Sequence, residues 1–226
     1  MRWLILGLFE QNTKPYIGDI KTVALVGGSS HDPELASLKR EGILNVDYFG
    51  IEPEPGKERF KILDLNEKTI MSNSYDLVIC SQVLEHVWNQ AAAFENLCEL
   101  TKPGGWLWIG CPASNFPHGA PDYFSAGYTS SMIANNLRKR GLSILSEGMV
   151  GSDRYYSTQH VFRYWLTESE HRSPLLGYKF RGRNSIRKLG KMVIDLPKML
   201  FAESRSPKIT TSVEFATESY VFARKS

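Results

Sequence analysis

The sequence has little cysteine and no long apolar run, and both absences narrow the class of protein. Three cysteines stand among 226 residues, and Cys80, Cys98 and Cys111 lie too far apart to form a CxxC pair. Their odd number argues against a disulfide framework and against a thiolate zinc site. No apolar run approaches the length of about 20 residues that a membrane-spanning helix needs. We therefore expect a protein of the reducing cytoplasm that is not integral to a membrane.

The sequence also lacks internal repeats, low-complexity runs and obvious linkers. Glycine and proline occur 18 and 11 times, and 42% of the residues are hydrophobic, which is enough for one substantial core. These values predict a single domain over residues 1–226. The apolar start of the chain, residues 3–9, is followed at once by Glu10 and has no small-residue cleavage site. We therefore interpret it as part of the fold and not as a signal peptide.

Positive charge is concentrated in the last third of the chain. Residues 1–150 hold 13 Lys and Arg against 17 Asp and Glu, whereas residues 151–226 hold 14 against 7. We interpret residues 151–212 as a basic, mainly helical insertion before the last strand. Its basic residues flank a broken apolar stretch, which leaves open contact with an anionic membrane surface, a homodimer contact or a cover for the core. Nucleic-acid binding is not expected, because no recognised module accompanies the basic cluster.

The first 150 residues alternate short β-rich runs with helical patterns. The patterns predict helices over 33–40, 89–100 and 129–140, and strands over 22–26, 46–51, 60–63, 75–80, 106–110, 142–145 and 214–223. This order predicts an α/β fold with an open, doubly wound, mostly parallel sheet and helices on both faces. Such sheets bind ligands at the carboxyl ends of their strands, so the loops after those strands are where a site is expected.

Five segments at those loop positions carry a resemblance to a known family. They are Val23–Ser30, Gly50–Glu52, Leu63–Leu65, Tyr75–Val87 and Leu100–Leu107. In this order and spacing the chain resembles the class I S-adenosylmethionine-dependent methyltransferases, in the small-molecule group called type 11. The resemblance spans about residues 20–150. It implies a Rossmann-like methyltransferase fold, with S-adenosylmethionine as cofactor and S-adenosylhomocysteine as product.

The resemblance implies a set of cofactor contacts at the first three strand ends. Gly27 and Gly28 would let the main chain approach the ligand, although a plain tight turn would need them too. Glu52 would accept hydrogen bonds from both ribose hydroxyls, unless it is a solvated loop acid. Asp64 would accept from the adenine amine while Leu65 packs on the ring, but Asp64 could instead cap a following helix.

The first loop departs from the family's pattern. The acidic residue usual two positions before the first glycine is Leu25 here, and the later glycines are replaced by Ser29 and His31. The methionine amino group would then need another acceptor, such as a backbone carbonyl. The Ser29 hydroxyl could stand in for a backbone contact, and Ser81, at the end of the fourth strand, is expected to bind cofactor as well.

These departures favour one alternative function and disfavour another. A degenerate methyltransferase-like protein could keep the fold and serve as a binding or scaffold protein without catalysis. A nicotinamide-dependent oxidoreductase is disfavoured, because its G-x-G-x-x-G motif would require glycine at Ser29 and at Asp32.

Two polar residues, Glu85 and His86, follow the fourth strand directly. Methyl transfer from a sulfonium needs the acceptor oxygen held in line with the methyl carbon and its proton removed. Imidazole suits proton removal near neutral pH. His86 is therefore the first candidate for a general base, and the alternative is that it anchors the loop.

The loop after the fifth strand, residues 111–128, is long and rich in polar and aromatic side chains. In family members that modify glycans, a similar stretch covers the acceptor site. The resemblance thus implies His118 and Asp122 as catalytic or hydroxyl-binding residues and Tyr123 and Tyr128 as substrate-binding residues. It implies O-methylation of a small, sugar-containing or glycan acceptor, as in surface polysaccharide biosynthesis. The plainer alternative is that Asp122 bonds a nearby backbone amide.

Overall fold

The computed structural model describes residues 3–29, 31–53, 59–69, 74–115, 121–151, 209–210 and 216–226. Its helices are α1 (Trp3–Thr13), α2 (Pro33–Arg40), α3 (Gln90–Leu100) and α4 (Ser130–Arg138), and short 3-10 turns cover Lys14–Asp19 and Leu84–His86. Its strands are β1 (Val23–Val26), β2 (Val46–Gly50), β3 (Phe60–Ile62), β4 (Tyr75–Ser81), β5 (Thr101–Pro112), β6 (Leu142–Val150), β7 (Ile209–Thr210) and β8 (Glu218–Lys225).

The strands form one sheet in the order β3-β2-β1-β4-β5-β8-β6-β7. The first five strands run parallel, and β8 lies antiparallel between β5 and β6. This arrangement confirms the predicted open, mostly parallel sheet. Because Val26 is in register with Phe49 on one side and with Cys80 on the other, β2, β1 and β4 end together at one edge.

Helices cover both faces of the sheet, each over its own apolar cluster. Phe94 of α3 and Ile133 of α4 belong to the cluster on one face. Leu35 of α2 belongs to the cluster on the other face, together with Ile5 and Phe9 of α1, which are fully buried. The apolar start of the chain is thus part of the core, as the sequence predicted.

The fifth strand begins earlier than predicted. The proline and glycines of Lys102–Gly105 predict a break before the strand expected over 106–110, but β5 already begins at Thr101. The pairing with β4 shifts at this point, from Tyr75 opposite Thr101 to Leu77 opposite Trp106. Gly104 has a φ of +76° within that irregularity. The predicted breaker is therefore a bulge inside a strand.

The sixth and last strands also differ from their predicted bounds. The sixth continues to Val150 instead of ending at 145, and the last covers 218–225 instead of 214–223. The two strands pair antiparallel from Leu142 opposite Lys225 to Val150 opposite Glu218, with a bulge near Leu145. The long pairing with β8 supplies the hydrogen bonds that extend β6 beyond its short apolar run.

The predicted basic insertion, residues 151–212, lies outside the described residues except for Gly151 and β7. Its proposed contacts with an anionic membrane or with a second copy of the chain stay predictions, and so does the single-domain division. In the part of the chain that the structure describes, no helix is long and apolar enough to cross a membrane.

The buried carboxylate of Asp76, in β4, is hydrogen-bonded to the segment that precedes β1. Asp76 accepts hydrogen bonds from the N–H groups of Lys21 and Thr22 (2.9 and 2.7 Å) and from the Thr22 hydroxyl (2.9 Å), and it pairs with Lys102. Burial alone would raise the pKa of Asp76, but these hydrogen bonds outweigh it and lower the pKa. The charged form is therefore the one that the fold favours.

We expect stability to fall on acidification through this group. Since the pKa is lowered in the folded state, the contribution of Asp76 is present above its unfolded value of about 4 and is lost as pH falls below it. Asp76→Asn should cost about 2 kcal/mol at pH 7 and flatten the loss of stability below about pH 4. Urea unfolding at several pH values measures both effects. Glu95→Gln, in an exposed pair with Lys68, is the control, and an equal effect of both variants would contradict the prediction.

Candidate active site

The main chain turns off β1 at Gly27, whose φ of +66° lies in the left-handed region that favours glycine. Its N–H donates to the carbonyl of Phe49 (2.7 Å), which fastens the loop to the end of β2. A Cβ on Gly27 would come within 2.6 Å of the Val83 side chain, and one on Gly28 within 2.7 Å of Leu25. Both glycines are therefore needed for the shape and packing of this loop.

Ser29 and Asp32 connect the glycine loop to α2. Asp32 has extended backbone angles and Pro33 takes the first helical position, so the helix begins where the sequence predicted. The Asp32 side chain makes no capping bond and instead accepts from the Ser29 hydroxyl (2.9 Å). The serine that replaces a family glycine thus braces the loop through its side chain.

A second carboxylate lies beside this loop, and sequence reasoning missed it. Glu34, in the first turn of α2, has none of its surface exposed and accepts a hydrogen bond from the Ser81 hydroxyl (2.8 Å). Ser81 is the buried last residue of β4. The signal available in the sequence was spacing, because Glu34 stands four residues before Leu38 and so shares its sheet-facing side of the helix.

The acids that follow β2 and β3 have different surroundings. Glu52 is exposed to solvent. Asp64 is half-buried, and its Oδ1 accepts from the main-chain and side-chain nitrogens of Asn66 (2.8 and 3.0 Å). Asp64 thus shapes a local turn, and because no helix follows it within the described residues 59–69, it does not act there as the helix cap that was its predicted alternative role. Leu65 is 6% exposed and packs in the core.

Asn66 ties the loop after β3 to the start of α3. Its Oδ1 accepts from the N–H groups of Trp88 and Asn89 (2.9 and 3.1 Å), and its main-chain carbonyl accepts from the Asn89 amide (2.9 Å). These partners are more than 20 positions away in the sequence, so no local motif announces them. These hydrogen bonds hold the loop after β3 and the start of α3 in a fixed position relative to each other.

The chain leaves β4 through a residue in a strained conformation. Gln82 has a φ of +58°, which is uncommon for a residue other than glycine. Its N–H donates to the carbonyl of Gly110 (2.8 Å) and its side chain donates to buried Glu218 (2.8 Å). Strain of this kind is frequent where a fold positions functional groups.

The turn at Leu84–His86 forms hydrogen bonds with the loop that follows β5. Nδ1 of His86 contacts the main-chain carbonyl of Asp122. The carbonyl of Glu85 accepts from the N–H of Phe124 (2.9 Å). The structure therefore brings His86 and Asp122 together, but Asp122 takes part through its main chain while its side chain is exposed.

Both predicted substrate-binding tyrosines lie at this turn. The Tyr123 ring stands edge-on to the His86 ring at 6.1 Å, and its hydroxyl donates to the carbonyl of Asn115 (3.0 Å). The Tyr128 hydroxyl donates to the carbonyl of Leu84 (3.4 Å), and burial raises the pKa of Tyr128. Their hydroxyls hold the loop in place, the Tyr128 side chain packs against the core cluster, and the substrate contacts of both tyrosines stay predictions. His118 lies outside the described residues, and its role stays a prediction.

The electrostatic setting of His86 comes from Glu85. The Glu85 carboxylate is 1% exposed, and its Oε1 lies 3.9 Å from Nε2 of His86. Nearby at the end of β5, burial raises the pKa of the Cys111 thiol far above its usual range. This thiol therefore stays protonated, and of these groups the imidazole is the one suited to accept a proton near neutral pH.

Known proteins of similar structure share this fold. A S-adenosylmethionine-dependent methyltransferase from Archaeoglobus fulgidus aligns with 100% of this chain and 95% of its own, with a TM-score of 0.55 and 16% identity. The [4+2]-cyclase SpnF aligns with 97% of this chain and 80% of its own, with a TM-score of 0.57 and 16% identity. At such low identities these likenesses concern the fold alone.

Two sequence comparisons identify the family to which the chain belongs. Over 133 residues the chain is 28% identical to the ubiquinone biosynthesis O-methyltransferase of Burkholderia vietnamiensis, which covers 59% of this chain and half the length of that relative. A family model described as a methyltransferase domain matches residues 26–175, well over half of the 226-residue chain. The matched segment begins at the end of β1 and includes the glycine loop, Glu52 and His86. The chain therefore belongs to the methyltransferase-domain family, and S-adenosylmethionine is the cofactor of its kind.

Proposed function

We propose that this protein transfers a methyl group from S-adenosylmethionine to a hydroxyl group of a small, sugar-containing acceptor. Family membership supports methyl transfer, and the name of the Burkholderia relative supports oxygen as the atom methylated. The observation that carries the proposal is the placement of His86 directly beyond β4, with Nδ1 against a main-chain carbonyl.

The residues at the strand ends suit the cofactor. The left-handed turn at Gly27 shapes the loop after β1, and Val83 packs where a Cβ on this glycine would stand. The exposed carboxylate of Glu52 follows β2, where it can accept from both hydroxyls of a ribose. Asp64 can accept from an adenine amine while its Oδ1 also holds Asn66. We assign Gly27, Gly28, Ser29, Glu52, Asp64, Leu65 and Ser81 to cofactor binding.

The contact of His86 with Asp122 determines which ring nitrogen can act as a base. A carbonyl oxygen only accepts, so Nδ1 must donate to it and carries the proton in the neutral ring. Nε2 then holds a lone pair and can take the proton from an acceptor hydroxyl. S-adenosylmethionine supplies an electrophilic methyl group on a positively charged sulfur. When bound, it would give this methyl group to the acceptor oxygen and leave as S-adenosylhomocysteine, while Nε2 of His86 would take the proton that the hydroxyl loses.

Glu85 favours this proton transfer. Its carboxylate is buried and stands 3.9 Å from Nε2, so it stabilises the positive charge that appears on the imidazole. The Asp122 carbonyl meanwhile keeps the ring from rotating. The Asp122 contact thus orients the base, and the Glu85 carboxylate beside Nε2 would stabilise its protonated form.

The loop over His86 offers surfaces for an acceptor. The half-buried Tyr123 ring beside His86 can stack on a sugar ring, and the exposed Asp122 carboxylate can accept from its hydroxyls. Phe124, half exposed on the same loop, adds an apolar surface. A phenolic acceptor would use the same aromatic surfaces, so the acceptor class is decided by experiment.

Incubation with methyl-labelled S-adenosylmethionine and three acceptor groups tests the proposal. The groups are nucleotide sugars, phenols and primary amines. We expect label in an ether product that resists mild acid and forms from a sugar hydroxyl. Labelled phenols with unlabelled sugars would retain O-methylation but overturn the sugar assignment, and labelled amines alone would overturn both. If the protein binds cofactor but labels no acceptor, the result would favour the alternative that it is a binding or scaffold protein without catalysis.

Glu52→Ala should weaken cofactor binding, because it removes the carboxylate proposed to hold the ribose. Two charge-assisted hydrogen bonds are worth about 2 kcal/mol, which corresponds to a loss of about 30-fold in affinity. Calorimetric titration with S-adenosylhomocysteine gives the value. Glu99→Ala, an exposed acid near the end of α3, is the matched control. Unchanged affinity in a folded Glu52→Ala variant would refute the ribose contact.

A further inference from the structure

The negative charge missing from β1 leaves the amino end of the cofactor without an obvious partner. Leu25 occupies the position of the usual acid, is 1% exposed and packs beneath Gly28 in the apolar cluster shared with α1 and α2. The methionine part of S-adenosylmethionine carries an ammonium group, which leaves water favourably only where an opposite charge receives it. A carboxylate near the same loop could take over this task.

Glu34 brings a carboxylate to the face of the sheet on which Leu25 lies. Leu25 and Ile79 belong to the same cluster, and Ser81, two residues beyond Ile79, points to the same side. The Glu34 side chain reaches this position from α2 and is held there by the Ser81 hydroxyl at 2.8 Å. The Glu34 carboxylate therefore lies nearer to the ligand-binding edge of the sheet than the Leu25 side chain does.

The sheet order separates Glu34 from the other acid of the loop. Burial and the charge of Asp32 raise the pKa of Tyr48 in β2, and Asp32 accepts from the Ser29 hydroxyl in the loop after β1. Glu34 instead contacts Ser81 at the end of β4, on the opposite side of β1. If Glu52 holds the ribose at β2 and His86 receives the proton beyond β4, the sulfur and its methionine chain lie toward β4. Glu34 stands on that side.

We propose that Glu34, held by Ser81, supplies the negative charge that receives the ammonium group of the cofactor's methionine part. This inference rests on the proposed function, because it concerns the same cofactor. Glu34 acts by its charge on a bound group, so removing the charge should affect ligands that carry the ammonium and spare those that lack it.

The test is a comparison of two ligands on two variants. Titration calorimetry measures the affinity of S-adenosylhomocysteine, which has the ammonium, and of 5′-methylthioadenosine, which lacks the whole amino-acid part. Glu34→Gln keeps an oxygen that can accept from Ser81 but removes the charge. It should lose about tenfold or more in affinity for S-adenosylhomocysteine and stay within about twofold for 5′-methylthioadenosine. Glu41→Gln, an exposed acid just beyond the C-terminal end of α2, should change neither.

The outcomes separate the two proposals. If the wild-type protein binds neither ligand, the proposed function fails. If the wild type binds both but Glu34→Gln loses them equally, or retains S-adenosylhomocysteine fully, the role of Glu34 is refuted while the function stands. Should Glu34→Gln not fold, Glu34→Asp keeps the charge on a shorter side chain. The shorter side chain draws the carboxylate away from the ammonium group, so Glu34→Asp should lower the preference for S-adenosylhomocysteine over 5′-methylthioadenosine, and an unchanged preference would contradict the inference.

Discussion

Replacing His86 with alanine is expected to lower kcat about 100-fold or more and to leave affinity for S-adenosylhomocysteine within about twofold. The variant loses the ring nitrogen that accepts the proton, whereas the strand ends that we assign to the cofactor are untouched. Turnover with labelled S-adenosylmethionine and calorimetry with the product measure the two quantities. This split between kcat and binding distinguishes a base from a residue that builds the cofactor site.

The variant His86→Asn separates the base from the anchor. The asparagine amide can still donate to the Asp122 carbonyl, so it preserves the contact that holds the loop, but it has no basic nitrogen. We expect kcat to stay as low as in His86→Ala. Recovery of most of the activity in His86→Asn would show that the contact with the loop is what matters and that the proton goes elsewhere.

Trp108→Ala is expected to lower the free energy of unfolding by about 3–5 kcal/mol. The indole has no exposed surface, meets the Phe9 ring edge-on at 5.2 Å and stacks on Tyr220 at 5.4 Å. Its removal opens a cavity between α1 and the centre of the sheet, where β5 and β8 meet. Urea unfolding followed by circular dichroism gives the change.

Trp88→Ala is the matched control for this loss. Trp88 is 60% exposed, so its truncation should change stability by no more than about 0.5 kcal/mol. A Trp108→Ala variant as stable as Trp88→Ala would mean that α1 does not pack on the sheet as described. Such a result would also remove the support for including the apolar start of the chain in the fold.

The strands and the site loops could be predicted because the signals for them are local. The run from Tyr75 to Cys80 is apolar almost throughout, as a central parallel strand must be, and it is buried along its length. Thr129 likewise caps α4 by accepting from the N–H of Met132, at the predicted start. Signals of this kind depend on neighbours within a few positions, so one sequence is enough to interpret them.

The parts that escaped prediction depend on residues far apart in the chain. The bulge at Gly104 exists because β5 must pair with β4 on both sides of it, and Glu34 matters because Ser81 lies 47 positions later. The hydrogen bonds that Asn66 accepts from Trp88 and Asn89 likewise join residues far apart in the sequence. The spacing of Glu34 and Leu38 on α2 indicates which side of the helix Glu34 occupies, but the partners of all these residues become visible only once the sheet order is known.

Calorimetric titration of the wild-type protein with S-adenosylmethionine and S-adenosylhomocysteine tests the central claim most directly. The claim is that the loop at Gly27 and Gly28 still binds the cofactor although Leu25 stands in place of the usual acid. We predict one site per chain with a dissociation constant in the micromolar range for both ligands, about −8 kcal/mol. Absence of heat from either ligand at millimolar concentration, in a protein shown to be folded, would contradict the account.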